Sequence, residues 1–291
     1  MRCAILNRLA ARLGEALAPP SITLRPWIVD GLVVGYLDDR RANMLATFSD
    51  MFVVNEHGVF MVPSLIDVAS RTAALDRIAR ELSRRGELTR WRDEHFAVRA
   101  RANDAPLLFV ERAAARFFGI ATEAAHLNGA AHNETRMWIA RRSAGKSIDP
   151  GQLDNLVGGG VGATLDIQQT IVKEAREEAG IDESLAQSAR RATRVEIARM
   201  QSDGLQRETI HVFDLVLPDD FVPINHDGEV SQFRCVSIEE AAELAGNAHA
   251  PDLMTADAAL VVADWLMRHG HVPRDSRAFD ELDVLRRASI D

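Results

Sequence analysis

Cysteine is nearly absent: the 291 residues contain 2, Cys3 and Cys235, with no CxxC pair. That excludes a disulfide framework and makes a reducing cytoplasm the simplest setting. No stretch approaches the roughly 18–20 consecutive apolar residues that cross a bilayer, so no membrane partner is expected. Positive charge is in deficit, because 43 acidic against 34 basic side chains leave a formal net charge of -9. General binding to nucleic acid or anionic membranes is therefore not expected, whereas small polyphosphates fit, since bound cations invert a local field. No segment repeats at a fixed period or is of low complexity. The run Gly158-Gly159-Gly160 lacks both the GKS or GKT ending of a P-loop and GxGxxG spacing, which excludes ATPase and dinucleotide-fold readings.

What is present is enough for a substantial core: 47% of residues are hydrophobic, and the length suits one large or two ordinary domains. In the first twenty residues, Arg8, Arg12 and Glu15 interrupt any export-signal apolar region. Leu6, Leu9, Leu13 and Leu17 follow helical spacing there and predict a core-facing or docking helix. Two strands are expected around the turn Asp30-Gly31, then helices near 40–50 and 71–84, a strand in WRDEHFAVRA, and a strand running into a helix in PLLFVERAAARFFGI. Residues 1–120 read as an α/β domain. Residues 121–291 read as a second domain with a hairpin ending in strand 137–141, a helix over 167–179, strands near 193–200, 209–217 and 232–236, and a helix over 255–268 stopped by Gly270. A mixed sheet with helices on both faces is the expected α/β architecture.

The helix over 167–179 carries the chemistry. Asp166 with Gln169 three residues on is an Asp version of the capping box, and Gly180 is the stop signal. Ile167, Ile171, Val172, Ala175 and Ala179 share one face, and Glu174, Glu177 and Glu178 fall within an arc of about 100° beside it. Like charges at this spacing destabilise a helix by roughly a few tenths of a kcal/mol per pair. Lys173 and Arg176 offset part of that; a hard cation such as Mg²⁺, which takes oxygen ligands, offsets more. A solvated acidic face is the plain alternative.

The run Leu156 to Ile181, LVGGGVGATLDIQQTIVKEAREEAGI, resembles the Nudix box. Gly159 takes the first glycine position, and Glu174, Glu177, Glu178, Gly180 and Ile181 match its end. The early glutamate of the pattern is replaced by Leu165 and its arginine by Lys173. WIARRSAGKSIDPGQLDNLVGGG, DLVLPDDFVPINHDGEV, WRDEHFAV, ERAAARFFGI and AHLNG extend the similarity to a Nudix subfamily with an N-terminal domain of uncertain function. The resemblance implies a Nudix α/β/α sandwich preceded by a smaller α/β domain. It also implies that Glu174, Glu177 and Glu178 hold Mg²⁺ or Mn²⁺, and that the activity is hydrolysis of a diphosphate linked to an organic group. Fungal members of that subfamily, some fused to thiamine pyrophosphokinase, are associated with damaged thiamine diphosphate.

Outside the box, Glu229 in HDGEV is the candidate late-loop carboxylate, a metal ligand or a general base, with a plain turn acid as the alternative. Catalytic roles are thus assigned to Glu177, Glu178 and Glu229. Arg141, Arg142 and Lys146 follow a strand end, where guanidinium and ammonium groups meet phosphates. With Gly159, whose freedom to turn is expected to place the backbone beside the helix, they form the expected substrate-binding set. His126 and Asn128 read as satisfied turn or core residues, and the four tryptophans as packing residues. The expected partner is a small-molecule diphosphate, with a homodimer as an option. Three other functions stay open: a pyrophosphatase for nucleoside diphosphate derivatives, a diphosphate-binding protein without catalysis, and an isopentenyl diphosphate isomerase, which requires a cysteine acid beside the substrate.

Overall fold

The computed structural model describes residues 1–88, 91–102 and 104–287; the expected domain spans also run through residues 89–90, 103 and 288–291, which lie outside the described residues. The first part of the chain forms α1 (Cys3–Ala16), β1 (Arg25–Val29), β2 (Leu32–Leu37), α2 (Asp39–Leu45), β3 (Phe52–Asn55), β4 (Gly58–Met61), α3 (Val68–Arg84), β5 (His95–Val98) and β6 (Leu108–Glu111). Asp30 and Gly31 both take positive φ, 53° and 75°, which matches the right-handed twist of the β1–β2 hairpin. The sheet runs β2-β1-β4-β3, with β4 parallel to β1, and β5 pairs with β6. Trp27, Leu75, Ile78, Phe117 and Phe118 are buried in the core that this sheet shares with α3.

Three local expectations change here. The helix expected over 40–50 ends at Leu45, where the Thr47 hydroxyl donates to the Met44 carbonyl and the chain turns into the β3–β4 hairpin, which was not among the expected elements although Phe52-Val53-Val54 and Val59-Phe60-Met61 flank the turn residues Asn55 to Gly58. After β6, a single 3-10 turn, Arg112–Ala114, replaces the expected helix. Ala113, Ala114, Ala115, Phe117, Phe118 and Ile120 are all buried, so the segment has no solvent stripe on which an amphipathic helix could settle. The glycine run is extended strand rather than a tight turn, and none of Gly158, Gly159 and Gly160 has positive φ.

The rest of the chain forms β7 (Ala121–Ala131), β8 (Arg136–Arg142), β9 (Leu153–Asp154), β10 (Val157–Gly160), α4 (Ile167–Ala179), α5 (Glu183–Gln187), β11 (Arg190–Gln201), β12 (Gly204–Val216), β13 (Val230–Ser237), α6 (Ile238–Ala245), α7 (Ala256–Arg268) and α8 (Arg277–Leu285). The sheet order is β11-β12-β7-β8-β13, and only the β12–β7 pair within that row is parallel. One edge of β7 is shared: β10 pairs along Ala124–Leu127 and β8 along Gly129–Ala131. Strand alternation sends Ala125, Leu127 and Phe213 toward α4 and α5, and Ala124, Ile210 and Val212 toward α6, α7 and α8. The result is the α/β/α sandwich with a mixed sheet.

The predicted docking helix α1 packs on this second face. Leu6, Leu9, Leu13 and Leu17 are each at most 2% exposed, in one core with α6, α7 and α8. Arg12, among them, is satisfied by the carbonyls of Ala245 and Met254. Trp27 and Trp265 are buried packing residues, as their type predicts. Among the described residues, no helix is long and apolar enough to cross a membrane.

Candidate active site

Helix α4 begins and ends as its sequence dictates. Asp166 and Gln169 form the reciprocal capping box, and Gly180 closes the helix in the left-handed conformation, φ 64°. The helix buries Ile171, Ala175 and Ala179 against the sheet, and this seats Glu178 at the core boundary with a side chain only 6% exposed. Its Oε2 accepts the Gly158 N–H at 2.9 Å, and its Oε1 lies 3.4 Å from Lys146 Nζ. Burial pushes the Glu178 carboxyl up to about 7; Lys146 and the Gly158 N–H oppose this shift, and Glu174 and Asp154 add to it. Burial also pulls the Lys146 ammonium down, against the pull of Glu178. Both partners thus resist their charged forms, as expected when two ions leave water.

The loop after β12 brings two more carboxylates to Glu178. Its backbone N–H groups at Ile224 and His226 bind the carbonyls of Ala179 and Glu177 at 3.0 and 2.8 Å, using acceptors that the end of α4 leaves open. Asn225 and Asp227 then shape the turn through Asn225 Nδ2 to Asp227 Oδ1 at 2.7 Å and Glu229 N–H to Asp227 Oδ1 at 2.8 Å. Among the described residues, oxygens of Glu178, Asp227 and Glu229 lie within 4.8 Å of one another, a hard-oxygen set that fits a divalent cation. Lys146 bonds to both Glu178 and Glu229 and stands in as a cation there. Asp227 was not singled out by sequence; its signal was the position two residues before Glu229 in the same turn.

Glu174 and Glu177 lie outside this group, so the three helix carboxylates do not converge on one point as the helical arc led us to expect. Lys173 joins them instead, with Nζ 3.0 Å from Glu174 Oε1 and 2.6 Å from Glu177 Oε2. Burial lowers that ammonium, but the bonds to Glu177 and Glu174 outweigh it and hold it above its ordinary value.

The glycine run serves close approach. A Cβ on Gly159 would stand 2.5 Å from Glu174 Cγ, one on Gly158 would stand 3.2 Å from the His126 ring, and one on Gly160 would stand 3.3 Å from Arg112 Nη2. Alternation along β10 thus turns Gly159 toward α4 and its neighbours to the other side.

Of the expected phosphate ligands, Lys146 faces the carboxylates. Arg141 does not: its guanidinium is taken by the carbonyls of Gly151 and Pro251, at 2.9 and 2.8 Å, and by Asp252. Arg142 bonds Asp154 at 2.6 Å and the Ile148 carbonyl at 2.9 Å. Both arginines brace the loop that aims Lys146; Arg141 does not line the cavity beside the carboxylates, whereas Arg142 does. His126 has its Nδ1 2.8 Å from Asn155 Oδ1 and lines the same cavity, and Asn128 bonds Asp214 at 3.1 Å.

A cavity of about 140 Å³ opens beside these groups, lined by Lys146, Glu229, His126 and the three glycines, with Arg112 and Arg116 from the first part of the chain. A second cavity of about 340 Å³ shares Phe96 with it and is walled largely by alanines, Val161, Leu165 and Ile167. Leu165, which replaces the early glutamate of the box, therefore adds to an apolar wall.

Residues 15–122 match the family described as a domain of unknown function (DUF4743), and residues 127–257 match the NUDIX domain. Nudix hydrolase 24, chloroplastic, of Arabidopsis thaliana is 32% identical over 285 residues, covering 97% of this chain and 74% of that protein. The chain belongs to the Nudix hydrolase family. Nudix hydrolase 20, chloroplastic, of the same plant is 32% identical over 295 residues, covering 97% of this chain and 75% of that protein. The names of these Nudix relatives place them in the chloroplast, which does not match the plain cytoplasmic setting expected from cysteine usage. Among solved Nudix structures, a Caenorhabditis elegans Ap4A hydrolase is 13% identical, with a TM-score of 0.39 over 52% of this chain and 99% of that one. The NUDIX domain of Shewanella oneidensis NrtR with ADP ribose is 12% identical, with a TM-score of 0.40 over 52% and 90%.

The raised Glu178 carboxyl has a consequence for this Nudix hydrolase in metal-free form. A carboxyl whose folded value exceeds its unfolded one contributes stability in full below the unfolded value, 4.5, and loses it as pH rises to about 7. Denaturant unfolding in EDTA is expected to show roughly 3 kcal/mol lost from this group between pH 4.5 and 7.5. Glu178→Gln should remove that part of the pH dependence; an identical slope in wild type and variant would contradict it.

Proposed function

We propose that this Nudix hydrolase uses Mg²⁺ or Mn²⁺ to hydrolyse a diphosphate linked to an organic group, with oxidised or otherwise damaged thiamine diphosphate as the leading substrate. The observation that carries the reading is the meeting of buried Glu178 with Asp227 and Glu229 beside a cavity lined by charged side chains of both signs, Lys146 and four arginines among them. Glu178, Asp227 and Glu229 would hold the ion, with Glu174 and Glu177 available once Lys173 turns away. A divalent ion held there supplies charge neutralisation on the phosphates and a lowered pKa for the attacking water. Glu229, at the cavity wall, would serve as general base where it is not itself a ligand, and Lys146 would turn from the carboxylates to a phosphate oxygen. The neighbouring cavity, with a largely apolar wall and Arg99, Arg101, Glu123 and Asp166 also lining it, would give the organic group a place to sit.

Isomerase chemistry finds no cysteine acid among the residues that line the cavity. Cys235 lies on β13 with its Sγ 3.5 Å from Arg136 Nε, Cys3 is exposed on α1, and neither lines the cavity. The Lys173 bridge favours a second reading, a diphosphate-binding protein without turnover. The test is product release from thiamine diphosphate, its oxidised analogues and a nucleoside diphosphate panel with Mg²⁺ and Mn²⁺. Turnover of the thiamine compounds above the nucleotides is expected. Turnover of nucleotides alone would replace the substrate, and no release above a Glu178→Gln control would favour the non-catalytic reading.

A further inference from the structure

The cavity beside the carboxylates is closed by a wall from the first part of the chain, and that wall contributes Arg92, Phe96, Arg112 and Arg116 but no carboxylate. Arg112 is held in place from several sides. Its backbone N–H binds the Glu94 carbonyl at 2.8 Å, its Nη1 binds Glu94 Oε2 at 2.7 Å, and its guanidinium lies over the Phe96 ring, 5.6 Å from the centroid. It stays 39% exposed, and the bare Gly160 gives it room against β10. Arg116, 23% exposed, stands 3.6 Å from Asp203, while its carbonyl accepts the Leu205 N–H at 2.9 Å. Across the cavity, three of the five lining carboxylates are paired with cations, Asp154 with Arg142, Asp257 with Arg199 and Glu229 with Lys146, while Asp149 accepts from Gln152 and Glu208 from Thr122 and Gln206.

We propose that this wall is the phosphate-recognition half of the site: Arg112, assisted by Arg116, binds the phosphoryl group of the substrate that lies away from Glu178. The proposal rests on the reading of the cavity as a diphosphate site and gives the N-terminal region a role in substrate choice. Guanidinium forks fit phosphate oxygens in pairs, and Arg112 is preorganised by its stacking and its ion pair, so little freedom remains to be lost on binding. A volume of about 140 Å³, below the usual range for a whole organic ligand, suits the phosphate end alone.

The test is calorimetric binding of inorganic pyrophosphate to the full chain in EDTA, which needs neither metal nor turnover. Wild type should bind, and Arg112→Gln should weaken binding about tenfold or more, with Arg116→Gln adding to the loss. Glu94→Gln breaks the same ion pair but keeps the guanidinium and its stacking on Phe96, so it should bind pyrophosphate clearly more tightly than Arg112→Gln does. Melting temperatures of all variants are compared alongside. The proposal is overturned if wild type does not bind pyrophosphate, if Arg112→Gln binds as wild type does, or if Glu94→Gln loses as much as Arg112→Gln. Failure of the hydrolytic reading would register separately, as arginine-dependent pyrophosphate binding without metal-dependent product release.

Discussion

Replacing Glu178 by Gln is expected to lower kcat by roughly 10²–10⁴-fold, several kcal/mol of transition-state stabilisation at 1.36 kcal/mol per factor of ten. The amide keeps the size of the side chain and can still accept the Gly158 N–H, so packing should survive. It removes the negative charge that Lys146, and in the loaded enzyme a divalent cation, would neutralise. Because burial already opposes the charged form of Glu178, the variant should unfold at equal or higher denaturant than wild type in EDTA at pH 8. Loss of activity with no loss of stability separates a working carboxylate from a structural one. Loss of both would place Glu178 in the scaffold instead.

Gly159→Ala is expected to cost about 10- to 100-fold in activity for a cost in stability of about 1 kcal/mol or less. The added Cβ would stand 2.5 Å from Cγ and 2.6 Å from Cδ of Glu174, so that carboxylate must swing away from β10. A flexible side chain can yield cheaply, but under the proposed mechanism the position it abandons is the one from which Glu174 would join the ligands of the ion. Gly158→Ala makes a useful contrast, since its Cβ would meet the His126 ring at 3.2 Å and leave Glu174 in place. Steady-state kinetics and thermal melting of the two variants check this. Equal loss of activity in both would mean that the strand as a whole, not the Glu174 contact, is what matters.

Local signals were legible in the sequence. The Asp166–Gln169 capping box and the Gly180 stop define α4 at the residues that the pattern named, and the leucine spacing of α1 foretold a docking helix. The signals that failed depend on distant parts of the chain. Glycines 158 to 160 read as a turn because their partners, His126, Glu174 and Arg112, are separated from them in sequence and meet them only in the fold. Glu229 was named from the sequence, but Asp227 was not: both reach Glu178 because loop N–H groups dock on the open carbonyls of α4, a pairing with no sequence pattern of its own. Arg141 looked like a phosphate ligand by type and place, but its partners Pro251 and Asp252 lie 110 and 111 residues away. Lys173 was read as a partial offset to the glutamates, and the structure makes it the bridge between two of them.

Binding of Mn²⁺ to wild type and to Glu178→Gln, followed by calorimetry at pH 7.5, tests the central claim most directly. The account predicts saturable binding to wild type, accompanied by proton release because the Glu178 carboxyl must ionise, and binding to the variant weaker by about tenfold or more. Equal affinity in the two proteins, with no protons released, would contradict it.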